Sequence, residues 1–156
     1  MELQSKRKIF LTLLTNVCRM ALAAVLLVSG FVKAVDPMGA MYKLQEYADL
    51  FSCSLSDEWL QLLAVLQAAV EFLLGIYLLF GVYRRAVPLL ALVMMSFFTP
   101  LTFYIMLNGE VDDCGCFGDA VALSNETTFF KNLFLLLLSI VTFCGRRRFV
   151  WCITKR

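Results

Sequence analysis

Hydrophobic residues in this chain come in long runs separated by short charged connections. Four runs, at about 9–31, 60–81, 86–107 and 128–145, are each close to 20 residues long. A helix rises about 1.5 Å per residue, so about 20 apolar residues cross a hydrocarbon core of about 30 Å. Lipid offers no water to unpaired backbone groups, so each run is expected to be an α-helix. The pattern predicts an all-α integral membrane protein: a single four-span domain over 1–156, folded as a four-helix bundle in contact with the lipid bilayer. Lys6-Arg7-Lys8 precede the first run as in a secretory signal. That run is too long for a signal's apolar stretch, and three more follow, so it is expected to stay as an anchor.

The connection after the first span has a pattern of its own. Asp36-Pro37 reads as a helix N-cap followed by proline at the first helical position. Met38, Met41, Leu44, Ala48 and Phe51 then recur at helical spacing, with Lys43, Glu46 and Asp49 on other faces. This predicts an extracytoplasmic interfacial amphipathic helix, lying on the outer leaflet or covering the outer mouth of the bundle. Cys53 follows it directly, and Trp59 marks the interface at which the second span starts.

Charge sets the expected topology. The chain is 61% hydrophobic, its mean hydropathy is +0.80, and its few charges are clustered. Ten of the fourteen basic residues fall at the N-terminus, at Arg84-Arg85 or at the C-terminus, and ten of the twelve acidic residues fall in the other two connections. Basic residues stay on the cytoplasmic side, so both termini are expected inside and the 32–59 and 108–127 loops outside. The basic clusters are read as topology signals, and no nucleic-acid partner is expected.

Polar residues inside a membrane are costly and mark the bundle interior or a functional site. The first span has Asn16 and Arg19, and the second has Gln67 and Glu71. Arg19 and Glu71 fall near the middle of their spans, beside small residues (Ala23, Gly30, Ala64, Ala68, Gly75) that let helices approach closely. A buried Arg19–Glu71 ion pair between spans one and two is expected. Its role is either to fix the helix register or to bind a cofactor, with a quinone the candidate. Pro100 in the third span predicts a kink there.

The 108–127 loop carries the most chemically informative residues, Cys114-Gly115-Cys116-Phe117-Gly118. Cysteines two apart have Cα atoms about 5.5–7 Å from each other, at the edge of what a disulfide accepts. Such a bond is strained unless the residue between is permissive, as Gly115 is. Strained, exposed disulfides are the labile, catalytic kind. Cys114 and Cys116 are therefore the candidate redox pair and Cys53 the candidate relay or resolving thiol, three thiols on the side where disulfides form. Glu110, Asp112, Asp113 and Asp119 surround the pair and oppose thiolate formation, and Lys131 is the nearest cation in sequence. A metal site is the rival chemistry. The chain has no histidine, and two thiols need further ligands, so no metal is expected.

With these residues in place, the chain resembles the DoxX-like membrane proteins and, within them, the MauE (methylamine-utilisation) branch. The features that carry the likeness are Gly30-Phe31-Val32-Lys33 running into Asp36-Pro37-Met38-Gly39, Glu71 with Gly75, and Cys114-Gly115-Cys116-Phe117-Gly118-Asp119. The resemblance implies a four-helix membrane bundle of a bacterial inner membrane, associated with thiol–disulfide exchange. In the MauE branch it implies disulfide formation or maturation of an exported partner, alongside a thioredoxin-fold protein. Some DoxX relatives imply quinone reduction instead. The layout is also similar to vitamin K epoxide reductase, although that enzyme has CxxC where this chain has CxC. The expected function is a membrane thiol–disulfide exchanger. A non-catalytic anchor or assembly subunit that docks a partner through the same loop is the alternative.

Overall fold

The computed structural model describes residues 2–50, 55–108 and 125–150. Among these, all regular structure is helical. Helix α1 spans Glu2–Val35, α2 Pro37–Leu50, α3 Asp57–Phe80, α4 Ala86–Asn108 and α5 Asn125–Cys144, followed by a 3-10 turn at Arg146–Arg148. Four of them (α1, α3, α4 and α5) are long and apolar enough to cross a membrane. The expected four-span architecture is therefore the observed one. Helix α1 has 34 residues, about 50 Å at 1.5 Å per residue, and so exceeds the hydrocarbon core.

The helix ends follow from local chemistry. Asp36 is the single residue between α1 and α2. Its N–H still donates to the Val32 carbonyl at 3.0 Å, while its Oδ1 accepts from Gly39 N–H at 3.1 Å, as the N-cap reading requires. Helix α3 stops at Gly81, whose φ of 64° is open to glycine at little cost. Val82 N–H then closes back on the Tyr77 carbonyl at 2.9 Å. Helix α4 runs through Pro100 and stays helical on both sides of it. The Thr99 and Thr102 hydroxyls there bond the Met95, Phe98 and Thr99 carbonyls at 2.7–3.0 Å.

Each spanning helix buries one narrow stripe and shows lipid the rest. On α1 the buried residues are Thr15, Cys18, Arg19, Leu22, Ala23, Leu26, Ser29, Gly30 and Lys33, a run of three- and four-residue steps. On α3 they are Leu60, Ala64, Ala68, Glu71, Leu74, Gly75 and Leu78. The opposite faces expose Val17, Val28 and Phe31 on α1 and Leu62, Leu66, Val70 and Leu73 on α3, side chains suited to acyl chains and not to water.

The two stripes meet where they are smallest. A Cβ added at Gly30 would lie 2.5 Å from the Phe72 backbone nitrogen and 2.9 Å from the Ala68 carbonyl oxygen. One at Gly75 would lie 2.9 Å from the Leu27 nitrogen and 3.1 Å from the Ala23 carbonyl oxygen. The backbones touch at both places, so α1 and α3 form the tightest pair in the bundle. Helix α5 packs against α1 and α4, and α3 meets α4 only briefly. Helix α2 lies on the first turns of α3, burying Ala40 and Met41 against Leu60 and Ala64, with Leu44 and Ala48 beside them. Met38, expected on that same face, is instead 45% exposed; its place is taken by Ala40. Phe51 lies outside the described residues.

Because the atoms facing Gly30 are backbone, the helices must separate to admit a methyl group. Gly30→Ala is expected to destabilise the bundle by about 1–3 kcal/mol, read as a lower midpoint in chemical unfolding of the detergent-solubilised protein. Ala24→Gly, on the exposed face of α1, should cost no more than about 1 kcal/mol.

Candidate functional site: a charged cavity beneath α2

The register fixed by Gly30 and Gly75 brings Glu71 of α3 beside the last turns of α1. Its Oε1 accepts from Lys33 Nζ at 2.6 Å and from Gln67 Nε2 at 3.2 Å, and its Oε2 accepts from Ser29 Oγ at 2.7 Å. Lys33 and Glu71 are both almost wholly buried, at 4% and 3% exposure. Taking two charges out of water costs several kcal/mol per ion, and their attraction offsets it only if the remaining lone pairs are satisfied. Here both carboxylate oxygens are satisfied, by donors from two helices.

The partner expected for Glu71 was Arg19, and this pairing is corrected by the helix register. Glu71 lies level with Ser29, and Arg19 is ten residues earlier on α1, about 15 Å away along the axis. Both residues are buried, as the cost of intramembrane charge requires. Arg19, however, sits at the other end of the bundle, with its guanidinium over the Phe149 ring at 4.7 Å. Asn16, one turn away, donates to the Arg148 carbonyl at 3.2 Å and accepts from Val150 N–H at 3.3 Å. Gly145 passes so close to Thr15 that any Cβ there would collide with its side chain. The two polar residues of the first span thus clasp the turn after α5, and the partner that sequence reasoning missed is Lys33. The signal was present: Lys33 continues the buried stripe one turn beyond Ser29.

Around Glu71 the five helices leave a cavity of about 40 Å³. Its polar lining comprises Ser29 and Lys33 from α1, Lys43 and Tyr47 from α2, Gln67 and Glu71 from α3, and Lys131 and Asn132 from α5. Val25 and Leu26, two turns before Lys33, and Leu135, one turn beyond Lys131, make its apolar part with Ala40 and Leu44 of α2 and Met95 and Phe98 of α4. Three lysines and one glutamate thus line it, with Lys33 paired to Glu71 and Lys43 to Glu46. Asn132, 2% exposed, also donates to Thr102 Oγ1 at 3.4 Å and ties α5 to α4.

Cys53, Cys114 and Cys116 lie outside the described residues, as does Cys152. Cys18 and Cys144 are free thiols, the first buried in the core and the second exposed. Among the described residues no group of His, Cys, Asp or Glu could hold a metal ion.

Removing one partner of the Lys33–Glu71 pair leaves a buried charge without its counterpart. Lys33→Met is expected to cost about 3–5 kcal/mol, and Lys33→Met/Glu71→Leu much less than the two single changes combined. A double-mutant cycle on unfolding in detergent measures the difference. Additive costs would mean that the pair does not interact.

Among curated proteins and among solved structures, none matches this chain. A family model described as "Methylamine utilisation protein MauE" matches residues 11–145. The match runs from the third turn of α1 to the glycine that follows α5, and so takes in the cavity and the cysteine loop together. On that extent of agreement, the chain belongs to the MauE family and is a multi-pass membrane protein.

Proposed function

We propose that this protein exchanges disulfides with an exported thioredoxin-fold protein at the outer face of a bacterial inner membrane. Cys114 and Cys116 form the redox pair and Cys53 the resolving thiol. The observation that carries the reading is the CxC motif within the stretch matched by the MauE family model. The geometry of the described residues is compatible with it. The C-terminal half of α4 and the start of α5 are held together by Phe103 against Phe129 at 5.3 Å and by Thr102 with Asn132. The connector bearing Cys114 and Cys116 is thereby tethered at both ends to one end of the bundle. Cys53 follows the last residue of α2 by three positions, a reach of about 11 Å at most. The basic residues of the termini and of Arg84-Arg85 support an N-in, C-in orientation with this end outside.

The exchange is balanced without an external oxidant. A thiolate of the partner attacks the Cys114–Cys116 disulfide, and a mixed disulfide forms as one loop thiol leaves. The partner's second thiolate then resolves it. Two electrons pass to the loop pair, the partner ends oxidised, and the reverse sequence reduces the partner. Cys53 can intercept the mixed disulfide from the loop side.

A quinone is not needed for this exchange. The cavity at Glu71 is about 40 Å³, while an apolar cavity that admits benzene is about 150 Å³. A quinone ring at Glu71 would require the helices to part, and Arg19 does not line the cavity.

Maleimide labelling of the full-length protein in intact membranes, before and after reduction, tests the proposal. Reduction should add label at Cys114 and Cys116, and Cys114→Ser should trap a mixed disulfide between the remaining loop thiol and its partner or Cys53. Cys114→Ser/Cys116→Ser should abolish exchange. Full retention of function in that variant would favour the docking-subunit alternative.

A further inference from the structure

The Lys33–Glu71 pair is satisfied on its carboxylate side only. An ammonium group carries three N–H donors. Among the described residues, Lys33 Nζ uses one of them, on Glu71 Oε1 at 2.6 Å. Lys33 is 4% exposed, so its other donors are shut off from bulk solvent. A buried donor without an acceptor forfeits the full cost of its desolvation, most of all when it is charged. On the same wall Gln67 donates its amide to Glu71 and, among the described residues, keeps its carbonyl oxygen uncommitted.

Lys33 and Gln67 both line the cavity beneath α2, and its size limits what can serve them. One water takes about 10–15 Å³ of such space and needs about two to four polar partners. The cavity of about 40 Å³ has room for about three. Tyr47 and Asn132 add polar lining to that of Lys33 and Gln67. Water accepts from an ammonium and donates to a carbonyl at once, which a halide ion of similar size does not. It also has a way in. Lys43 lines the cavity and is 15% exposed where it meets Glu46 on the outer surface of α2.

We infer that this cavity is a hydration site, in which about three ordered waters accept the remaining Lys33 hydrogen bonds and bridge them to Gln67. The ion pair thereby keeps both charges inside the bundle, its ammonium served by water as its carboxylate is served by Ser29 and Gln67. The site needs neither an excess of charge nor any cysteine.

X-ray pulses make hydroxyl radicals from bound water, which oxidise the side chains beside it. Mass spectrometry of the full-length protein, irradiated in nanodiscs, locates the products. Leu26 and Leu60 are both 2% exposed, and Leu135 and Leu74 both 5%, but of these only Leu26 and Leu135 line the cavity. Leu26 and Leu135 should be oxidised several-fold more than their matched counterparts. Lys33→Met/Glu71→Leu removes the groups that hold the water and should bring each pair of leucines level. Leu44→Phe fills the cavity from α2 with the ion pair intact, and should do the same if the double variant does not fold. Exchange of chloride for gluconate should leave the unfolding temperature unchanged. Equal oxidation within each pair in the wild type would overturn the inference, as would an excess that persists in either variant when folded. A chloride-dependent rise in unfolding temperature, absent from the double variant, would give the site to an anion and overturn it too.

Discussion

Backbone contact between α1 and α3 is the constraint on which the rest of this structure depends. Gly30 and Gly75 leave no room for side chains where the helices cross, so the two axes are locked in separation and in register. That register, and not charge attraction over a distance, decides which polar residue meets which. It places Ser29 and Lys33 at the Glu71 carboxylate and leaves Arg19 about three helical turns away. Small residues thus act first, and the ion pair is built on the geometry they set.

Much of this was legible in the chain, and the parts that were not share a cause. The four spans could be read because lipid forces backbone hydrogen bonds into helices and apolar length is visible directly. The Asp36 cap was readable because its chemistry is local. The pairing of Glu71 was not readable, since equal depth had to be guessed from the centres of two apolar runs. Helix α1 continues to Val35, beyond the run that suggested its end at about 31, and its contact with α3 is displaced accordingly. The same long-range dependence hid the use of Asn16 and Arg19, whose partners Arg148, Val150 and Phe149 lie at the far end of the chain. The cavity itself draws on five helices, and no local pattern announces such a convergence.

The two ends of the bundle do different work. At one end Lys33, Lys43, Lys131 and Glu71 surround open space close to where the cysteine connector is attached. At the other, Thr15, Asn16 and Arg19 meet Gly145, Arg148 and Phe149 with little space left. The open end keeps a cavity lined by charged and polar side chains beneath α2, and the closed end holds helix ends in position. The MauE family match takes in the whole of the open end and the α1 side of the closed one, and stops at Gly145, before Arg148 and Phe149.

The closed end also constrains how the protein is made. Asn16 is bonded to a residue 132 positions later, so its partner leaves the ribosome on the order of ten seconds after it does. Throughout that interval the Arg19 guanidinium has no aromatic face to rest on and is costly to surrender to lipid. The first helix therefore carries that cost until the last one arrives. Nascent chains cut short before Phe149 would present a charged, unfinished helix, a form that membrane quality control can recognise and degrade.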